Sequence, residues 1–241
     1  MSTLARTELR LFVRDPSNAL FGILLPSLIM AGLGAVPALR EPSEVFGGLR
    51  FTEYFAPSLL AVSIAVLGVQ GFPVGLATYR EKGILRRLAV TPVRPATVLV
   101  AQLVINMAAA LLGALLMVAV AVWVFDVPAP RHPLGFALAL LVGTAAMFAL
   151  GLVVAAFAPR ARTATAIGTV LFMLTQFFAG VYLPKFLLPG PVVAIGEFVP
   201  PGIGAFAGAW TGDGPDPLQL AVLALIALAA TTVAARFFRW E

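Results

Sequence analysis

Cysteine is absent from the 241 residues, histidine occurs once, and only 11% of the chain is charged. Without a thiol there is neither a disulfide framework nor a thiolate metal site, although this leaves the compartment open. No HExxH and no GxSxG sequence occurs, and no acidic residue falls within the long apolar runs, which removes the usual metalloprotease, serine-hydrolase and paired-aspartate arrangements. The single histidine, His132, lies between two apolar runs and reads as an interfacial loop residue rather than a catalyst. No Gly-x-x-x-x-Gly-Lys-Ser/Thr sequence is present, so the chain has no P-loop, and any ATP must be handled by another subunit. Ion-coupled carriers place Asp, Glu or His inside the membrane despite a cost of ~2.5–3.5 kcal/mol per charge. That pattern is missing here, which argues against protonmotive coupling.

What is abundant is apolar surface: 61% hydrophobic residues and a mean hydropathy of +1.00 place the chain outside the range of soluble domains. Uncharged runs extend over Ser17–Leu39, Tyr54–Tyr79, Pro95–Phe125, Pro133–Pro159, Thr163–Pro184 and Pro217–Ala235. Each is long enough, at 1.5 Å per residue, to cross ~30 Å of hydrocarbon. Stretches such as Ala108–Val122 do not alternate in polarity, which excludes a transmembrane barrel. The expected fold is an all-α integral membrane domain of six transmembrane helices, a single unit over residues 1–241. The first run is too long and starts too late for a cleaved signal sequence and is read as the first span.

Orientation follows from the sixteen Lys and Arg residues. Twelve fall at the N-terminus, in the second and fourth loops and at the C-terminus, against Arg40, Arg50, Arg131 and Lys185 in the opposite set. Seven of the eleven acids, Glu41, Glu44, Glu53, Asp126, Glu197, Asp213 and Asp216, accompany that opposite set. Positive charge stays on the cytoplasmic side, so both termini are expected inside. The net charge of +5 is then a product of topology, and no basic face for nucleic acid is present. Fourteen Arg against two Lys, with much Ala, Gly and Pro, suggest a GC-rich bacterial genome, and hence a bacterial plasma (inner) membrane.

Three segments differ from plain spans. Residues 1–16 place Leu9, Phe12 and Val13 on one helical face and Arg6, Arg10 and Arg14 on another, the pattern of an interfacial helix, broken by Asp15-Pro16; a basic tail that only sets topology is the plainer alternative. Residues 185–216 are apolar but interrupted at Pro189, Pro191, Pro200, Pro201 and Pro215, with Glu197 inside. They are read as two short helices that enter the outer leaflet and return, against a collapsed apolar loop. Gly204, Gly208 and Gly212 at four-residue spacing would give a flat strip for another helix, a common pattern in membrane sequences.

The third segment, 80–94, is the densest basic stretch. On a helix from Arg80 to Ala89, Ile84, Leu85 and Leu88 form an apolar patch while Glu81, Lys82, Arg86 and Arg87 occupy other faces, and Thr91-Pro92 supplies a stop. A loop needed only for topology requires neither the patch nor the stop. Among polar residues in the spans, Gln70, Gln102, Asn106, Thr144, Thr169, Thr175 and Gln176 are neutral. Each can hydrogen-bond between helices, or the set can line a route for a large amphipathic molecule. Gln70 and Asn106, followed by Thr175 and Gln176, are the candidates for the pathway. Pro57, Gly68, Gly71, Pro73 and Gly75 give the second span its kink-forming residues.

The stretch TYREKGILRRLAVTPVRPATVLVAQL resembles the signature region of ABC-2-type transporter permeases. There a Glu/Arg-rich, Gly-containing stretch, an Arg-Arg-Leu and a Thr-Pro join spans two and three. The layout of the whole chain is similar to that family too. The resemblance implies a transport subunit with no catalytic residues, no metal site and no cofactor of its own. It pairs with a second permease copy as a homodimer in lipid and is driven by two separate ABC ATPase subunits that carry ATP and Mg. By position it implies that Glu81, Lys82, Gly83, Arg86, Arg87, Thr91 and Pro92 belong to a cytoplasmic coupling helix seated in the ATPase. The short outer loops resemble drug and antibiotic exporters of the daunorubicin-resistance type, which implies a lipophilic or amphipathic substrate. A stand-alone channel or secondary carrier, and a non-transporting immunity or scaffold protein, are the alternatives left by the residues themselves.

Overall fold

The computed structural model describes residues 20–84, 95–182 and 187–238. The expected interfacial helix over 1–16 lies outside them, as do Arg86, Arg87, Thr91 and Pro92. The described residues are helical, with one isolated bridge, Pro42 to Arg50, and no strand. A π turn, Leu20–Leu24, leads into α1 (Leu25–Ala35). A long central helix follows in three parts: α2 (Phe51–Ala65), a π segment (Val66–Gly71) and α3 (Phe72–Glu81). Then come α4 (Pro95–Phe125), α5 (Pro133–Phe157), α6 (Ala161–Phe178), two short helices α7 (Gly190–Gly196) and α8 (Ile203–Trp210), and α9 (Pro217–Phe237).

Among the described residues four helices are long and apolar enough to cross a membrane: Phe51–Glu81, Thr97–Phe125, Pro133–Phe157 and Pro217–Phe237. At 1.5 Å per residue the 31 residues of Phe51–Glu81 extend about 46 Å, more than the hydrocarbon needs. That excess explains why charged residues stand at both of its ends. Glu53 lies in its first turn and reaches back to the backbone N–H of Arg50 (3.4 Å), while its other oxygen lies 3.5 Å from the Arg50 guanidinium. Arg80 and Glu81 close the opposite end.

This central helix is the most enclosed of the four, contacting α1, α4, α5, α6 and α8. The second pillar is α5, whose contact with α9 is the most extensive pairing in the bundle. The core shared by the central helix, α5 and α8 joins Leu59, Leu60, Ile64, Val69, Met147, Phe206 and Trp210.

The two ends of the bundle differ in charge. One end carries Arg80, Lys82, Arg160, Arg162 and Arg236 with Glu81; the other carries Glu41, Glu44, Glu53, Asp126, Glu197, Asp213 and Asp216 with Arg40, Arg50 and Arg131.

Candidate functional site: a bulged central helix between two glycine contacts

Pro73 dictates the local structure of the central helix. It has no N–H for the Val69 carbonyl, and its ring would clash with that carbonyl in a regular α turn. The chain answers with the π segment Val66–Gly71, in which the N–H of Phe72 donates to Leu67, five residues back. The Gly68 and Val69 carbonyls are thereby withdrawn from the α pattern and turned toward neighbouring helices. A β-carbon at Gly151 of α5 would overlap the Gly68 carbonyl, and one at Gly168 of α6 would overlap the Val69 carbonyl. Only glycine permits these approaches, in which Cα–H groups face carbonyl oxygens.

The π turn Leu20–Leu24 repeats the device. The Gly22 carbonyl accepts a hydrogen bond from the Ser63 hydroxyl (3.3 Å), and a β-carbon at Gly113 of α4 would lie 2.6 Å from it. Single-turn π bulges recur at functional positions in helices. Here the bulge of the central helix sits at the crossing of α5 and α6.

Gln70 lies half-buried in this bulge. Asn106 is half-buried on α4, and its amide nitrogen donates to the Gln102 carbonyl of its own helix (2.9 Å). Thr175 is buried and donates to Phe172 (3.0 Å), again within its helix. Gln176 is 0% exposed, and neither amide atom has a hydrogen-bond partner among the described residues. No hydrogen bond joins any two of these four candidates; the Gln70 backbone lies beside Gly168 of α6, the helix that also carries Thr175 and Gln176. Thr144 is likewise fully buried with its hydroxyl unpartnered among the described residues.

An unsatisfied buried polar group costs about 1–3 kcal/mol, whereas an apolar group of similar shape does not. Gln176→Leu is therefore expected to leave the isolated chain as stable as wild type or to raise its stability by roughly 1 kcal/mol. Thermal unfolding in detergent measures this, and a clear loss of stability would show that the amide is satisfied.

Of the predicted coupling residues, Glu81, Lys82 and Gly83 are described, and they correct the start of the expected helix from Arg80 to Ala89: a turn at Lys82 and Gly83 separates Arg80 and Glu81 from Ile84, which is helical again, while residues 85–89 lie outside the described residues. Arg80 and Glu81 are the last turn of the central helix, and Gly83 stops it in the left-handed conformation at φ +64°. The Lys82 N–H donates to Thr78 and the Gly83 N–H to Arg80, both at 3.0 Å. A β-carbon at Gly83 would meet nothing within 4 Å, so the backbone angle alone calls for glycine. The signal was present in the sequence: Lys-Gly after a long apolar helix is a C-terminal stop.

The proline-broken segment holds two short helices, as expected. Glu197 follows α7 and its N–H donates to Val193 (3.1 Å). Pro200 and Pro201 are buried, joined by a cis peptide bond, and the Pro201 carbonyl is the group that a β-carbon at Gly143 of α5 would overlap. The expected flat strip of Gly204, Gly208 and Gly212 does not form. Gly204 faces Gln219 of α9, whereas Gly208 packs on the Gly214 carbonyl and Gly212 on Gly208 of the same segment. The helix ends at Trp210, so three glycines at that spacing never share one helical face.

Helix α8 is tied to the start of α5. The Trp210 indole donates to the Pro128 carbonyl (2.9 Å), and the backbone N–H groups of Arg131 and His132 donate to Trp210 (3.2 Å) and Ala209 (3.0 Å). Phe136 meets the Trp210 ring edge-on at 5.5 Å. His132, the sole imidazole, is thus an exposed residue at the N-terminus of α5.

The fold defines a multi-pass helical membrane protein whose central helix is bulged and clasped by glycines. The chain matches the family model for ABC-2 type transporters over residues 1–201 and belongs to that family. The family supplies the membrane components of transporters and typically works with ABC ATPase subunits. No match to a curated protein was found.

Proposed function

We propose that this chain is the membrane permease of an ATP-driven ABC exporter. Two copies, as a homodimer in a bacterial inner membrane, form the pathway for a lipophilic or amphipathic substrate of drug, antibiotic or lipid-like chemistry. Two separate ABC ATPase subunits bind ATP and Mg and supply the energy. The family match carries this reading. The charge asymmetry between the bundle ends supports six spans, with α1 and α6 as the two shorter ones and both termini inside. In that arrangement α7 and α8 form a re-entrant pair in the outer leaflet.

Segment 80–94 then carries the coupling helix, which begins beyond the Gly83 turn, with Arg80 in the central helix before it. Its attachment supports the role, because it hangs from the end of the most enclosed helix in the bundle, beyond a glycine stop. Glu81, Lys82, Arg86 and Arg87 supply charge to an ATPase groove, Gly83 the turn, and Thr91-Pro92 the exit toward α4. The pathway runs by the bulge, with Gln70, Thr175 and Gln176 as neutral polar groups beside it and Asn106 contributing from α4. The absence of acids from the apolar runs matches a substrate with a large uncharged body.

Arg86→Glu/Arg87→Glu is expected to leave membrane insertion intact and to abolish co-purification of the ATPase. Affinity purification from membranes containing both subunits checks this. Equal recovery of the ATPase with the reversed charges would remove segment 80–94 from the interface.

A further inference from the structure

We propose that Arg80 is the positioning residue through which the central helix transmits movement of segment 80–94 to the opposite end of the bundle, with α5 as the rod; this rests on the permease reading above. One guanidinium nitrogen of Arg80 donates to two carbonyls, Ala155 at 3.0 Å and Ala158 at 2.7 Å. These belong to the last turn and exit of α5, where helix carbonyls have no N–H partner of their own and the helix dipole favours a cation. The guanidinium carbon stands 5.0 Å over the ring of Phe238, the residue after α9. Phe157 of α5 and Phe237 of α9 pack on each other, with ring centroids 5.4 Å apart. A single side chain therefore joins the ends of three helices, and three residues beyond it the chain turns at Gly83.

The far end of α5 is also fastened. Its entry loop and first turn hold Trp210 of α8 through the hydrogen bonds and the Phe136 contact described above, and between the two ends α5 touches the central bulge at Gly151 and α8 at Gly143. Helices are stiff along their axes, and packed interiors shift as units rather than yielding locally. A displacement entering at Arg80 thus moves α5 and, with it, α8. Lysine is not equivalent, because an ammonium can still donate to the two carbonyls but lacks the planar face that stacks on the Phe238 ring.

The chain's own tryptophans permit a direct test. The chain is labelled with 5-fluorotryptophan, reconstituted in lipid vesicles with its unlabelled ATPase, and read by ¹⁹F NMR; Trp→Phe variants assign the three signals. In wild type, trapping with ATP and vanadate should shift the Trp210 resonance. Arg80→Gln should keep ATP hydrolysis within twofold of wild type and an unchanged KM for ATP, while at least four-fifths of the Trp210 shift is lost. Arg80→Lys and Phe238→Leu should each lose part of the shift, and they carry the test if Arg80→Gln does not accumulate in the membrane. A wild-type Trp210 shift in Arg80→Gln, or in both milder variants, would overturn the proposal. So would a coupled, ATP-hydrolysing wild-type complex in which Trp210 does not respond. Failure of the chain to bind any ABC ATPase is a different result, and it would overturn the permease reading itself.

Discussion

Gly151→Val and Gly168→Val are expected to cost about 3 kcal/mol or more each, the upper part of the range for overpacking a well-packed interior. In both cases the added β-carbon overlaps a backbone carbonyl of the bulge, Gly68 or Val69, and not the end of a flexible side chain. No rotamer change relieves the overlap, so the helices must separate. Separation also exposes Phe72, Phe148 and Leu67, which pack together beside the same contact. Gly75→Ala is the matched control. It lies in the same central helix with nothing within 4 Å of an added β-carbon, and alanine gains about 0.5–1 kcal/mol of helix propensity. Unfolding midpoints of the three variants in one detergent decide the matter. Wild-type stability of Gly151→Val and Gly168→Val would mean that α5 and α6 do not approach the bulge through these residues.

Trp210→Ala is the second large effect, expected at about 3–5 kcal/mol for truncating a buried aromatic residue. Trp210 is 2% exposed, and its loss removes the Phe136 contact and strands the Pro128 carbonyl. Trp210→Phe separates the two contributions. It keeps an aromatic ring and loses the indole donor, for which about 1 kcal/mol is expected. Trp123, 82% exposed on α4, is the control, and Trp123→Ala should change the stability of the isolated chain by at most about 0.5 kcal/mol. Thermal unfolding, together with protease sensitivity of the 126–133 loop, gives the answer. If Trp210→Ala is no worse than Trp123→Ala, α8 is not held by the entry to α5.

The long apolar helices were legible in the sequence because uncharged runs of this length allow few other structures. Phe51–Glu81, Pro95–Phe125 and Pro133–Phe157 nearly coincide with runs bounded by charge or proline. The two short helices between α6 and α9 were announced by their prolines. The π segment was half legible: Pro73 with Gly68 and Gly71 marks a disturbed helix, but the same residues also permit a plain kink. What selects the bulge is the fit of two freed carbonyls against Gly151 and Gly168, roughly eighty and a hundred residues away, and no local pattern encodes that.

The candidate site was less legible for the same reason. Arg80 reads in sequence as one more basic residue of a cytoplasmic loop, and only the bundle brings it to Ala155, Ala158 and Phe238. Asn106 and Thr175 read as polar groups free to face a pathway, yet each spends a donor on its own helix. The glycine strip failed because spacing of four residues matters only while the helix lasts, and this one ends before Gly212.

The most direct test of the permease assignment is ATP hydrolysis by the partner ATPase in lipid vesicles, measured with this chain, without it, and with Arg86→Glu/Arg87→Glu, over a panel of lipophilic drugs. Hydrolysis that requires the wild-type chain, is stimulated by at least one apolar compound and loses that stimulation in the charge-reversed variant is the predicted result. Hydrolysis indifferent to the chain and to both substitutions would contradict it.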